Sequence, residues 1–536
     1  MTSTYPENDH FHGPPRLLIW FAVVFIVAVL LAVIGVFLFA TGGGRLGVTI
    51  PFVAVAAVIL PVVSIGSALL LRKGLPRRMW LWLVVLWGVI ALGGIVGGVF
   101  FFRDSLEPRY QAELLNYAPF MRQFMRPTPA GGVVPTSAAA VNNPISPEDL
   151  LNMTVGTATP QPEATGETTS QPTPEPSATL APSSTPTPSP QPTEAALVST
   201  AETALVPVSV PTLSPLVSQA ASVPTTAFMY GFRWERQEWN NCGPTNITIA
   251  LSHFGWQEDQ NYAQQFLRPN AEDKNVSPIE LVNFVNTQTG VRAITRLGGD
   301  MLLLKTLIAN NFPVLVETTF TPEGSDWLGH YQTVVGYDDS SRNFFVYDSY
   351  LGTGSANSGV PEPYEQFDRD WQAFNRVFIV LYEQSREAEL IGLLGPLADV
   401  EAAAERALEV ARQEAQADPT SPFPWFNMGT SLVRLGEYEQ AAAAYDAATQ
   451  RQLPFRMLWY QFGPFEAYFN TGRYDDVMGL VRNNINNAGS FIEETYYWEG
   501  RVHAARGDIG AATSSFQRAL NNNPLFTQAQ EALDDL

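Results

Sequence analysis

Apolar positions are distributed along this chain in four distinct ways, and each predicts a different kind of structure. Near the start, residues 17–40, 47–71 and 79–102 form three apolar runs without a single Asp, Glu, Lys or Arg. A helix needs roughly 20 apolar residues to cross a hydrocarbon layer ~30 Å thick, and a cleavable leader has a shorter apolar core. Three retained membrane helices are therefore expected after an N-terminal tail, 1–16. Pro51 and Pro61 fall in the second run, where a kinked helix in a small bundle has its freed carbonyls satisfied by its neighbours. Arg72, Lys73, Arg77 and Arg78 fill the second short loop, whereas the first holds only Arg45. By the positive-inside rule the N-terminus is cytoplasmic and everything after residue 102 is extracytoplasmic.

The second pattern is an almost complete loss of apolar periodicity. Residues 103–126 place Leu114, Tyr117, Phe120, Met121 and Phe124 at a spacing that fits a short helix on the outer membrane face as well as a plain linker. Pro127 to Phe232 contain no Lys or Arg and are rich in Pro, Ser, Thr and Ala, with Thr185 to Pro192 reading TPTPSPQP. Such a composition buries too little apolar surface to offset chain entropy, so 127–227 is expected to be a disordered stalk of extended polyproline II character. It suits a spacer that holds an outer domain away from a membrane.

The third pattern, over 228–385, is that of a mixed α+β unit. Ile247, Ala250, Leu251 and Phe254 follow helical spacing, a second helix is expected near Met301 to Asn310, and Pro313 to Thr318 is a buried strand-like run. The period-two run from His330 to Asp338 and the strand-like run Phe344 to Tyr350 flank a polar turn and read as an antiparallel hairpin. The fourth pattern, over 388–536, repeats. Gly436, Gly472 and Gly507 recur at intervals of 36 and 35 residues, each followed by positions at helical spacing. Three such units and a partial one suffice for an all-α solenoid with a concave face.

Composition narrows the function classes. The 536 residues include 41 Pro, one Cys and a formal net charge of -21. The acidic balance argues against a nucleic-acid partner, which needs a basic stripe to displace phosphate counterions. A single Cys excludes an intrachain disulfide framework and any multi-cysteine metal site, and no metal or organic cofactor is implied.

That Cys lies in QEWNNCGPTNITIALSHFGW, Gln237 to Trp256. Asn240 or Asn241 suits a helix cap and Pro244 its first turn, so Cys242 is expected at a helix N-terminus, where unpaired N–H groups favour the nucleophilic thiolate. His330, at the start of the hairpin, is the best base. Asp348 follows it by 18 residues; with the turn midway, both side chains are expected on one sheet face, the carboxylate orienting the imidazole. Gln237, five residues before the thiol, is placed to donate to an oxyanion together with the Cys242 N–H. Nucleophile, base and orienter together make a constellation for covalent acyl transfer. His253 is a rival base, but it falls about 16 Å along the same helix, too far for proton transfer. His10 and His12 precede the membrane runs, and His503 lies in the repeats.

Gln, four intervening residues, Cys-Gly, a HYxxVxGYD-like strand and an Asp after a short hairpin resemble the bacteriocin-processing, or double-glycine leader, peptidase family, which is papain-like. The resemblance implies Cys242 as nucleophile, His330 as base, Asp348 as orienter and Gln237 as oxyanion donor. This chain departs from the family in having Asn241 where Asp is common and Asp348-Ser349 where Asp-Pro is usual. It also lacks the GxxxxGK[ST] motif of an ATP-driven exporter. Trp425, Gly429, Tyr438, Ala441, Tyr445 and Ala448, with Gly500, Ala512, Phe516, Ala519 and Pro524, resemble the tetratricopeptide consensus. The expected protein is a membrane-embedded, extracytoplasmic cysteine peptidase acting on a peptide or protein substrate, with repeats that bind substrate or a protein partner. Two alternatives stand beside it. One is a catalytically silent peptide-binding module in an envelope scaffold or receptor; the other is an acyl-enzyme that transfers to an amine or acts on another amide.

Overall fold

The computed structural model describes residue 121 and residues 132–137, 145–153, 223–321, 326–487 and 489–536. The three expected membrane runs, and 103–126 apart from residue 121, lie outside them. Among the described residues no helix is long and apolar enough to cross a membrane.

The first folded unit has a seven-stranded antiparallel sheet with helices on both faces. In chain order its elements are β1 (Thr226–Phe228), α1 (Cys242–Ser252), α2 (Gln260–Leu267), α3 (Pro278–Gln288), β2 (Arg292–Arg296), α4 (Met301–Ala309), β3 (Val314–Phe320), β4 (Leu328–Asp338), β5 (Asn343–Tyr347), β6 (Val360–Pro363), α5 (Tyr364–Gln372) and β7 (Phe378–Tyr382). The strands run β2-β7-β3-β4-β5-β6, and β1 pairs with the distal end of β4. Alternation along β3 and β7 feeds two cores. Leu315, Ile379 and Leu381 pack with Ile247, Leu251, Leu281 and Val285 under α1 and α3. Val314, Val316, Phe378 and Val380 pack with Leu304, Leu307, Phe367 and Trp371 under α4 and α5. A period-two strand buried on both faces is expected only where helices cover both.

The expected hairpin forms, with a feature that its sequence did not announce. Asp338 pairs with Asn343 at the turn, but a bulge between Val334 and Gly336 shifts the register, so that Val334 faces Val346 and Thr333 faces Tyr347. Continued from the turn without the bulge, the ladder would set Asp348 an odd number of places from His330, on the opposite face. The extra residue restores the parity and brings Asp348 diagonal to His330.

After α6 (Glu387–Leu394) the chain is helical: α7 (Val400–Ala417), α8 (Pro422–Arg434), α9 (Tyr438–Thr449), α10 (Met457–Tyr460), α11 (Gly463–Asn470), α12 (Tyr474–Asn486), α13 (Glu493–Ala505), α14 (Ile509–Asn522) and α15 (Thr527–Asp534). Gly436, Gly472 and Gly507 follow the ends of α8, α11 and α13 with φ of 76°, 71° and 79°, the left-handed conformation that ends a helix without a Cβ clash. Two helix pairs share one close approach. A Cβ on Gly429 would lie 2.6 Å from the Tyr445 ring, and one on Gly500 would lie 2.5 Å from the Phe516 ring. The helical region also packs directly on the α/β unit. Trp327 stacks between Phe374 and Phe423, and Asn375 donates to the Ser431 hydroxyl at 3.0 Å.

The disordered stalk expected over 127–227 is corrected in two segments and at its end. Val134 and Leu150, both 1% exposed, are buried in the core of the helical region. Val134 donates its N–H to Leu453 at 2.9 Å, and Ser137 bonds Asp476 at 2.6 Å and Arg473 at 3.0 Å. Pro147–Asn152 is a short helix with a Ser146–Asp149 capping box and Pro at its start. Average composition hid these contacts because a few apolar residues suffice once a ready-made apolar surface is available. Strand β1 likewise begins at Thr226, inside the expected stalk.

Candidate functional site

The site forms where the N-terminus of α1 meets β4. Cys242 is the first residue of that helix and Asn241 its N-cap, as expected, but the Asn241 side chain makes no cap hydrogen bond. Asn241 is fully buried and takes other partners: its amide donates to Gln260 at 2.8 Å, and its carbonyl oxygen accepts from Arg268 at 3.2 Å. Arg268 also holds the Trp239 carbonyl at 2.6 Å. The residue before the thiol is therefore a neutral fixture of the loop that presents it. Asn240 has φ of 54°, in the left-handed region that Asn tolerates, and lets the chain turn into the helix.

Cys242 is half-buried, with the His330 imidazole beside its thiol. His330, 3% exposed, sets Nε2 at 3.0 Å from Asp348 Oδ2, which leaves Nδ1 for the sulfur. Asp348 is fully buried. Besides His330 it accepts from Gln332 Nε2 at 3.1 Å and from the N–H groups of Tyr350 and Leu351 at 2.6 and 2.7 Å. Gln332 also donates to Glu362 at 2.6 Å. Phe320 stacks on the His330 ring at 4.8 Å.

These contacts set the charges. Burial opposes a charged imidazole, but Asp348 and the thiol outweigh it and push His330 up to about 10. Burial likewise opposes the Asp348 carboxylate, and the His330 charge outweighs it, holding the group at about 2. Burial raises the Cys242 thiol; the His330 hydrogen bond and charge, with the Tyr331 and Gly243 backbone, bring it below its ordinary value. The favoured state is thiolate and imidazolium. Glu317 lies close by, 4% exposed, and burial followed by the Cys242 charge pushes it well above the carboxylate range. That shift favours the neutral carboxyl, which adds no second negative charge beside the sulfur.

Gln237 enters the same cluster. Its N–H donates to the Ser349 carbonyl at 2.9 Å, and its Oε1 accepts the Ser349 hydroxyl at 2.7 Å. Ser349 in turn accepts from Asn246 Nδ2 at 2.9 Å, and Asn246, four residues beyond Cys242, also donates to the Tyr331 carbonyl at 2.7 Å. Oε1 is thereby spoken for, and Nε2 is the end of the amide left to donate. The Cys242 N–H, at the first turn of a helix, has no intrahelical acceptor. Cys242, His330, Asp348 and Gln237 are thus brought together, whereas His253 is half-buried and bonds Tyr230 and Asn311 away from them.

Sequence reasoning missed Asn246, Gln332 and Glu317, and it treated Ser349 only as a departure from a pattern. Buried polar residues at i+4 from Cys242 and at i+2 from His330 were the available signals. Ser349→Ala is expected to lower any amide hydrolysis by about tenfold while leaving Cys242 thiolate formation unchanged, since it frees the Gln237 amide without touching the His330 pair. Parallel turnover and alkylation measurements on the variant check this.

Residues 227–379 match the Peptidase_C39 like family. No curated protein matches the chain. Among solved structures, a putative C39-like peptidase from Bacillus anthracis has 14% identity over 30% of this chain and 98% of its own, with a TM-score of 0.25. The peptidase domain of Streptococcus ComA, a bi-functional ABC transporter involved in a quorum sensing pathway, has 17% identity over 29% of this chain and 100% of its own, with a TM-score of 0.23. A double glycine motif protease from an AMS/PCAT transporter, in complex with the leader peptide, has 13% identity over 30% and 99%, with a TM-score of 0.22. The family match marks 227–379 as a peptidase-like α/β domain, and a helical region follows it.

Proposed function

We propose that this chain is a membrane-anchored, extracytoplasmic cysteine peptidase that hydrolyses peptide bonds through Cys242, His330 and Asp348, with Gln237 as oxyanion donor. The observation that carries the reading is a Cys at a helix N-terminus beside an imidazole whose Nε2 lies 3.0 Å from a buried carboxylate. The Cys242 thiolate attacks the scissile carbonyl carbon, and the oxyanion is held by Gln237 Nε2 and the Cys242 N–H. As the C–N bond breaks, the imidazolium gives its proton to the departing amine, leaving a thioester. Water then loses a proton to His330 and attacks the thioester, releasing the acid and restoring the pair. Asp348 keeps the ring oriented and stabilises its charge throughout.

The three apolar runs support anchoring, and the Lys and Arg asymmetry supports the outward orientation. We read the helical region as tetratricopeptide-like repeats that hold substrate or a protein partner, on the recurrent Gly436, Gly472 and Gly507 turns. Incubating the full-length chain with a peptide library in ¹⁸O-labelled water tests the reading. Hydrolysis places one ¹⁸O in each new carboxylate, and Cys242→Ala abolishes the products. Saturable peptide binding without turnover in the wild type would replace it with a silent binding module, and amine-linked products would replace it with acyl transfer.

A further inference from the structure

The segment between α9 and α11 carries the inference. Three helix pairs in this region are joined by tight turns at Gly436, Gly472 and Gly507, whereas residues 450–462 make an excursion that contains α10 and is rich in aromatic residues. It is held in place from several directions. Leu453 and Phe455 bond Val134 and Gly132 through backbone groups, Arg456 pairs with Asp326 at 3.4 Å, and Arg456 lies 4.9 Å over the Trp459 ring. The excursion ends at Tyr460, which reaches the α/β unit. α10 packs on β4, and the Tyr460 ring sits edge-on to Trp327 and Phe374 with centroids 6.2 and 6.1 Å away.

The closest approach is at Gly329, the residue before His330. A Cβ there would lie 2.8 Å from Phe374 and 3.1 Å from the Tyr460 ring. Only glycine allows β4 to sit this tightly against a ring from the helical region. The Tyr460 ring thereby stands one residue along β4 from His330. Tyr460 is half-buried. Around the same imidazole, Phe320 stacks on His330 and meets Tyr350 edge-on at 5.4 Å. Tyr350 and Leu351 are 40% and 52% exposed. Aromatic rings therefore flank the His330 end of β4, and one of them belongs to the helical region.

We propose that Tyr460 is a specificity-determining residue of the candidate site: the helical region completes the cleft in cis, and Tyr460 packs against a large apolar side chain of the peptide next to the scissile bond. The inference rests on the cysteine-peptidase reading of Cys242 and His330. A solvent-exposed spacer would not need an aromatic excursion fastened at both ends, and an apolar wall beside the attacked carbonyl selects apolar side chains by excluding water from them.

The test uses the full-length chain, its Tyr460→Phe and Tyr460→Ala variants, and covalent labelling of Cys242. The probes are iodoacetamide, methyl vinyl sulfone and a panel of peptidyl vinyl sulfones with Phe, Leu, Gly, Asp or Lys nearest the warhead. In the wild type the Phe and Leu probes are expected to label fastest. Tyr460→Ala is expected to slow them by about tenfold, Tyr460→Phe by less than about threefold, and iodoacetamide labelling by less than about twofold. The inference is overturned if Tyr460→Ala slows all probes alike, if it slows none, if the Gly probe leads in the wild type, or if no peptidyl probe outpaces methyl vinyl sulfone. Failure of the underlying reading looks different: iodoacetamide labelling of the wild type would then show no dependence on His330.

Discussion

His330→Ala is expected to lower peptide hydrolysis by about 10³-fold or more. General acid-base help alone contributes about 10² to 10⁴, and here the same ring also holds the thiol in its anionic form, so its removal takes away acid, base and nucleophile activation together. The side chain is buried, with its polar atoms committed to Cys242 and Asp348. Truncation should therefore show in turnover far more than in substrate binding: kcat falls and KM stays within a few-fold. A variant that retained more than a tenth of wild-type turnover would remove His330 from the mechanism.

The second large effect is expected in stability. Asp348→Ala leaves a buried imidazole, the Gln332 amide and two backbone N–H groups without their acceptor. Stranding the partner of a buried ion pair costs about 3 to 5 kcal/mol, so a marked fall in Tm is expected along with loss of turnover. Asp348→Asn, which keeps the shape and an acceptor, should recover much of the stability and little of the activity. The pH dependence follows from the same pair. Asp348 is depressed to about 2, so its contribution is fully present above the ordinary carboxylate range and is lost as pH falls toward 2. His330 is raised to about 10, so the contribution seen from its side is full below the ordinary imidazole range and is lost as pH rises toward 10. Both describe one interaction. Thermal unfolding of wild type and Asp348→Asn should differ most at mildly acidic pH, between about 4 and 6.5, and converge at both extremes.

Much of the site was legible because its chemistry is local. A Cys followed by Gly and Pro at the start of an apolar helical pattern announced a helix N-terminus, and Cys242 stands there. The approach of Asp348 to His330 was also legible, though by a different route. An even separation across a symmetric turn suggested a shared face, whereas the real turn is offset and the bulge between Val334 and Gly336 restores the parity. A bulge of one residue leaves no clear mark in a buried strand such as YQTVVGYD. The orientation of Gln237 was hidden because it depends on Asn246 and Ser349, which come from a helix and a loop more than 100 residues apart. Tyr460 was hidden for the same reason on a larger scale. Repeat periodicity did not single out 450–462, and nothing in its spacing tells that Tyr460 lies against Gly329. The low-complexity stretch hid the burial of Val134 and Leu150 because their partners lie about 300 residues away in the helical region.

The measurement that bears most directly on the account is the pH dependence of Cys242 alkylation in the full-length chain, compared between wild type and His330→Ala. Cys242 is the sole thiol, so every adduct reports the site. An activated pair predicts rapid alkylation that persists well below pH ~8.5 in the wild type and reverts to ordinary thiol titration in the variant. Slow alkylation with an ordinary thiol profile, the same in both proteins, would contradict it.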